Sequence, residues 1–120
     1  MDKELAGSLG NTSDDPYYII KDCTNYAAIS GVRQVGGILG FLMTDSQKNV
    51  ISGCENTGKI TSTAVSDSYG AGGIVGSSYG GGDFTNNKNS GNVTSAMHAG
   101  GILAYNENDP IDFSGSTNSG

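Results

Sequence analysis

An all-β chain wound as a parallel β-helix, or β-solenoid, is what this sequence predicts, on three observations. Two short sub-motifs recur together along the 120 residues, at a period of about thirty. Within one of them the patterned residues fall at every second position, the period of a strand. Glycine, serine, asparagine and threonine make up 55 residues and favour turns and strand corners, while no window carries apolar residues at i, i+3, i+4 and i+7 over three turns. A helical domain is excluded.

The first sub-motif is an apolar residue, two spacers, then small/Cys-x-Asn-x-small-x-Ile/Val. It reads Ile20–Cys23–Asn25–Ala27–Ile29, Ile51–Cys54–Asn56–Gly58–Ile60, Phe84–Asn87–Asn89–Gly91–Val93 and, cut short, Phe113–Ser116–Asn118–Gly120. Its asparagines step by 31, 33 and 29 residues. The second sub-motif is Gly36-Gly37-Ile38-Leu39-Gly40, then Gly72-Gly73-Ile74-Val75-Gly76, then Gly100-Gly101-Ile102-Leu103-Ala104, with a weaker copy at Ala6-Gly7-Ser8-Leu9-Gly10. Residues 1–120 are therefore read as a single solenoid domain of about four coils, a fragment of a longer array: a half coil over 1–19 and coils starting near 20, 51, 84 and 113. One coil carries five extra residues in Thr61–Ala71, expected as a surface loop.

Stacked as parallel strands ~4.8 Å apart, Ile29, Ile60 and Val93 form an apolar ladder. Asn25, Asn56, Asn89 and Asn118 align as a column of amides able to hydrogen-bond along the axis. A second strand carries Ile38, Ile74 and Ile102 inward, and Ile20, Ile51, Phe84 and Phe113 supply a third row. Each coil is expected to hold two or three short strands, and right-handed winding is the default for parallel crossovers. A β-sandwich would also be rich in turns, but it does not predict asparagines in register.

Composition is compatible with a folded core: with glycine counted and tyrosine set aside, 56 of 120 residues are apolar. Six basic residues against twelve acidic ones give a net charge of −6, and with a single arginine no phosphate-tracking groove can be built. Nucleic acid and membrane insertion are not expected, since no run of 18 apolar residues occurs. The opening MDKELAGSLG has no apolar h-region, in keeping with a chain that starts partway through a unit.

Gly-Gly-Ile-Leu-Gly-Phe followed by Ile-Ser-Gly-Cys-Glu-Asn-Thr-Gly-Lys-Ile resembles the GLUG-motif repeat of bacterial surface proteins. The resemblance covers residues 6 to 120. It implies a parallel β-helix in a secreted or wall-attached, adhesin-like protein, hence an extracellular location, and it brings no catalytic residues with it. Ser8, Ala104, Asn87 and Ser116 depart from the pattern and are expected to weaken the coils that hold them.

Several residues carry chemistry worth testing. Leu39, Val75 and Leu103 alternate with the inward isoleucines, so in a regular strand they form an outward stripe, extended by Leu9 and flanked by Phe41 and Tyr105. That stripe, with Tyr69 in the insertion, is the candidate ligand surface. Cys23 and Cys54 share one repeat position, which admits either a disulfide or two thiols acting as small apolar groups. Gly80-Gly81-Gly82-Asp83 is similar to the Gly/Asp turns of calcium-binding β-rolls but occurs once, and is read as a flexible turn. Asp14-Asp15 and Asn106-Glu107-Asn108-Asp109 are oxygen-rich, leaving Ca²⁺ as the one cofactor to consider; no other metal is expected. His98, the single histidine, has no serine or cysteine placed beside it by any motif. The expectation is a non-catalytic module that binds host glycan or protein. Its alternative is a stalk presenting another domain; a carbohydrate-active enzyme comes a distant third. Exposed coil ends point to end-to-end self-association.

Overall fold

The computed structural model describes residues 16–63, 65, 69–107 and 110–120. Within them every element is a strand of two to four residues, and every pairing is parallel. The chain is a β-solenoid of about three turns.

Each turn holds five strands, two more than the largest number expected from the sequence. The first turn comprises β1 (Ile19–Lys21), β2 (Thr24–Asn25), β3 (Ile29–Gly31), β4 (Val35–Gly36) and β5 (Leu39–Leu42). The second comprises β6 (Asn49–Ser52), β7 (Glu55–Asn56), β8 (Ile60–Ser62), β9 (Gly70–Gly72) and β10 (Val75–Ser78). The third comprises β11 (Gly82–Asp83), β12 (Lys88–Asn89), β13 (Val93–Ser95), β14 (His98–Gly100) and β15 (Leu103–Asn106). Two strands of a further turn follow, β16 (Ile111–Asp112) and β17 (Thr117–Asn118). Equivalent strands stack into five sheets, and Ile29, Ile60 and Val93 are in register, as are the four asparagines.

The asparagine column is bonded in two directions. Asn25 Nδ2 donates to Asn56 Oδ1 at 2.8 Å, Asn56 Nδ2 to Asn89 Oδ1 at 2.7 Å and Asn89 Nδ2 to Asn118 Oδ1 at 2.7 Å. The second Nδ2 hydrogen of each of the first three goes to the carbonyl two residues on: Ala27, Gly58 and Gly91. The N–H groups of those same residues donate back to Oδ1. Asn56 and Asn89 are thus fully buried with both donors and their acceptor used, which is what makes a buried amide tolerable.

The corner before the asparagine strand is also repeated. Asp22, Gly53, Asn86 and Gly115 all adopt positive φ there, at 56°, 68°, 57° and 73°. Glycine, asparagine and aspartate are the residues that enter this left-handed region at least cost. The side chain that follows reaches back to the preceding turn. Asn87 Nδ2 donates to Ile51 O at 2.8 Å and its Oδ1 accepts from Cys54 N; Ser116 Oγ donates to Phe84 O at 3.0 Å and accepts from Asn87 N. Cys54 Sγ points at the equivalent Ile20 O, at 3.9 Å. Asn87 and Ser116 therefore do not weaken their coils. They bond a corner carbonyl that a thiol satisfies poorly.

Two apolar lobes fill the interior. One holds Ile51, Cys54, Phe84, Ile74, Val75 and Leu42; the other holds Val35, Ile60 and Ala71. Phe113, expected in the first lobe's row, is 42% exposed and meets Phe84 edge-on at 6.1 Å. Between the lobes lies a waist where the amide column meets the second glycine of each Gly-Gly pair. A Cβ on Gly37, Gly73 or Gly101 would stand 2.8, 2.4 or 2.2 Å from the carboxamide carbon of Asn56, Asn89 or Asn118. The two sub-motifs recur together because they are two sides of one contact.

At that waist the chain folds inward, and the strands on either side of the Gly-Gly corner approach each other on the side away from the core. A Cβ on Gly72 would lie 1.8 Å from Val75 O, and one on Gly76 would lie 2.5 Å from Gly40 O and 2.7 Å from Val35 N. Consequently β9 and β10 are buried along their whole length.

Candidate functional site

The folded-in corner overturns the expected outward stripe. Val75 is fully buried and packs in the same lobe as Ile74, with Leu39 and Leu103 packed against it from the turns on either side. The cause is backbone geometry. Ile74 N and Val75 N both donate to Ile102 O, and Ile38 N and Leu39 N both donate to Ile74 O, so two consecutive residues share one acceptor and the pleat loses its alternation. Beyond it the register with both neighbouring turns holds: Val75 pairs with Leu39 and Leu103, Gly76 is passed over without a pairing, and Ser77 pairs next.

Ser77 pairs with Phe41 in the turn before and with Tyr105 in the turn after. These three positions open a slot at the mouth of the cleft, lined by Gln34, Phe41, Ser77, Ser78, Tyr79, Tyr105 and Glu107, with a volume of about 60 Å³. Phe41 and Tyr79 are 40% and 38% exposed, whereas Ser77 is buried. Tyr105 is braced by the His98 ring, with centroids 5.2 Å apart. Among the described residues, Ser77 Oγ is the one buried side-chain polar atom without a hydrogen-bond partner. In a scaffold whose buried amides are paired, such a hydroxyl calls for an explanation.

Of the candidate ligand residues, then, Phe41 and Tyr105 come together at the slot, and Leu39, Val75 and Leu103 belong to the core. Tyr69 stands before β9, where the Arg33 guanidinium lies over its ring at 5.2 Å. Sequence reasoning missed Gln34, Ser77, Ser78 and Tyr79. A signal existed for Ser77: it stands five residues after the first glycine of its Gly-Gly pair, the offset that places Phe41 and Tyr105 in theirs.

The remaining candidates are dispersed. Cys23 and Cys54 are free cysteines, exposed and buried respectively, and burial pushes the Cys54 thiol above its ordinary range. Asp112 is held below the usual carboxylate range by the Ser114 hydroxyl and N–H, both donating to its Oδ1. Among the described residues no three His, Cys, Asp or Glu side chains gather as metal ligands would. Leu9, Asp14-Asp15, Asn108-Asp109 and positions 64 and 66–68 of the insertion lie outside the described residues. Comparison with family models, with curated proteins and with solved structures finds no match to this chain.

Proposed function

We propose that the chain is a non-catalytic repeat module of a bacterial cell-surface protein, of the kind the GLUG-motif resemblance implies. In this reading it lies outside the cell and binds a host glycan or extracellular protein through the slot over Ser77. One observation carries the reading: a buried hydroxyl without a partner, set between two partly exposed aromatic residues on adjacent turns. An aromatic wall with a polar floor is the ordinary composition of a recognition site. A net charge of −6 favours partners other than nucleic acid and anionic membrane surfaces.

A stalk that projects another domain is the second reading, favoured by the continuous stack of in-register strands. Copies of such a stack associate end to end through unpaired strand edges. Binding of the purified chain to a panel of glycans and extracellular host proteins separates the two. The binding reading expects a saturable hit that is lost in a Phe41→Ser/Tyr105→Ser variant of unchanged circular dichroism. Silence across the panel from a folded sample leaves the stalk.

A further inference from the structure

We propose that the slot over Ser77 takes a primary ammonium group, such as the head of a lysine side chain presented by a protein partner. The inference rests on reading the slot as the ligand site and goes further by naming the chemistry it selects.

Three features of the slot favour a cation. Phe41 and Tyr105 flank Ser77 in register, one strand spacing to either side. Parallel strands lie ~4.8 Å apart, so the two aromatic residues stand one strand to either side of Ser77, and a cation seated between aromatic rings is attracted by both. Tyr79, just past the end of β10, adds a third aromatic to the lining. The charge of the slot's lining is one-sided: among the described residues that line it, Glu107 is the one carboxylate and none is a lysine or arginine. Arg33, adjacent in sequence to the lining residue Gln34, is turned instead onto Tyr69.

Ser77 Oγ selects among cations. A hydroxyl oxygen without a partner can accept an N–H from a primary ammonium, which a quaternary ammonium cannot give. Size favours a compact head group: about 60 Å³ encloses an ammonium head, and of a glycan only a protruding substituent.

The test is a titration of the ¹⁵N-labelled chain with n-butylammonium, n-butanol, tetramethylammonium and methyl β-D-glucoside. Saturable shifts from n-butylammonium at Phe41, Ser77, Tyr79 and Tyr105 are expected. Its binding should be at least tenfold tighter than that of n-butanol or tetramethylammonium, and should fall at least tenfold in Phe41→Leu/Tyr105→Leu and weaken in Glu107→Gln. Equal binding of n-butanol, tighter binding of tetramethylammonium or the glucoside, or no saturable binding of n-butylammonium overturns the ammonium assignment. If the panel hit is nonetheless lost in Phe41→Ser/Tyr105→Ser, the binding reading stands without it. Shifts confined to another surface overturn the ammonium assignment, and a panel hit that survives Phe41→Ser/Tyr105→Ser overturns the slot as the binding site.

Discussion

At the scale of single residues, stability is concentrated in a few paired polar groups. Asn56 donates two hydrogen bonds and accepts two, with no exposed surface. Truncation strands its partners in the interior, and each unsatisfied group costs about 1–3 kcal/mol. Asn56→Ala is therefore expected to lose about 3 kcal/mol or more in urea unfolding, whereas Asn92→Ala, at an exposed position outside the column, stays close to wild type. The positive-φ corner gives a smaller effect. Asn86→Gly should gain a few tenths of a kcal/mol and Asn86→Val lose about 1–2 kcal/mol, because a β-branched side chain is strained there. For Cys54, burial favours the protonated thiol. A raised folded-state pKa means stability is complete below the pKa of an exposed thiol and is lost as pH rises through the buried one. Thermal stability should thus decline in alkaline buffer, less so in Cys54→Ala. A thiol reagent should find one fast cysteine, Cys23, and release the second on unfolding.

At the scale of the element, each strand is too short to be stable alone, and glycine decides where the chain can turn. Gly73 makes the point: an added Cβ meets Gly101 O at 2.0 Å and the Asn89 carboxamide at 2.4 Å. Backbone and a locked amide cannot both retreat, so Gly73→Ala should abolish the cooperative unfolding transition. What the sequence revealed follows from this division. Ile29, Ile60 and Val93 were legible because a stacked row needs only period two and a constant repeat. Strands such as β7 and β12, two residues each, have no alternation to detect, so five strands per turn read as two or three. Leu39, Val75 and Leu103 were misread because alternation assumes an unbroken pleat, and the shared acceptors at Ile74 O and Ile102 O break it. Ser77 was hidden by its own identity, a serine in a serine-rich chain, and became visible only between Phe41 and Tyr105.

At the scale of the molecule, the described residues span 43 × 29 × 22 Å, and with strands ~4.8 Å apart the three-to-four-strand stacks match the shortest dimension, a stack wider than it is tall whose turns pair with their neighbours. In such a stack stability adds turn by turn. The central turn supplies most of the fully buried residues, among them Ile51, Ile60, Ile74 and Val75. The proposed binding slot does not share that economy. The slot needs one residue from each of three successive turns, so it exists only where the stack is complete. A slot assembled this way is adjustable in sequence, because Phe41, Ser77 and Tyr105 occupy positions outside the two apolar lobes.

The most direct measurement is amide chemical-shift mapping of the ¹⁵N-labelled chain with the strongest binder from the panel of glycans and host proteins. Perturbations centred on Phe41, Ser77, Tyr79, Tyr105 and Glu107 are the predicted result. A footprint centred on Arg33 and Tyr69, or on the exposed strand edges, would place recognition elsewhere and contradict the slot as the binding site.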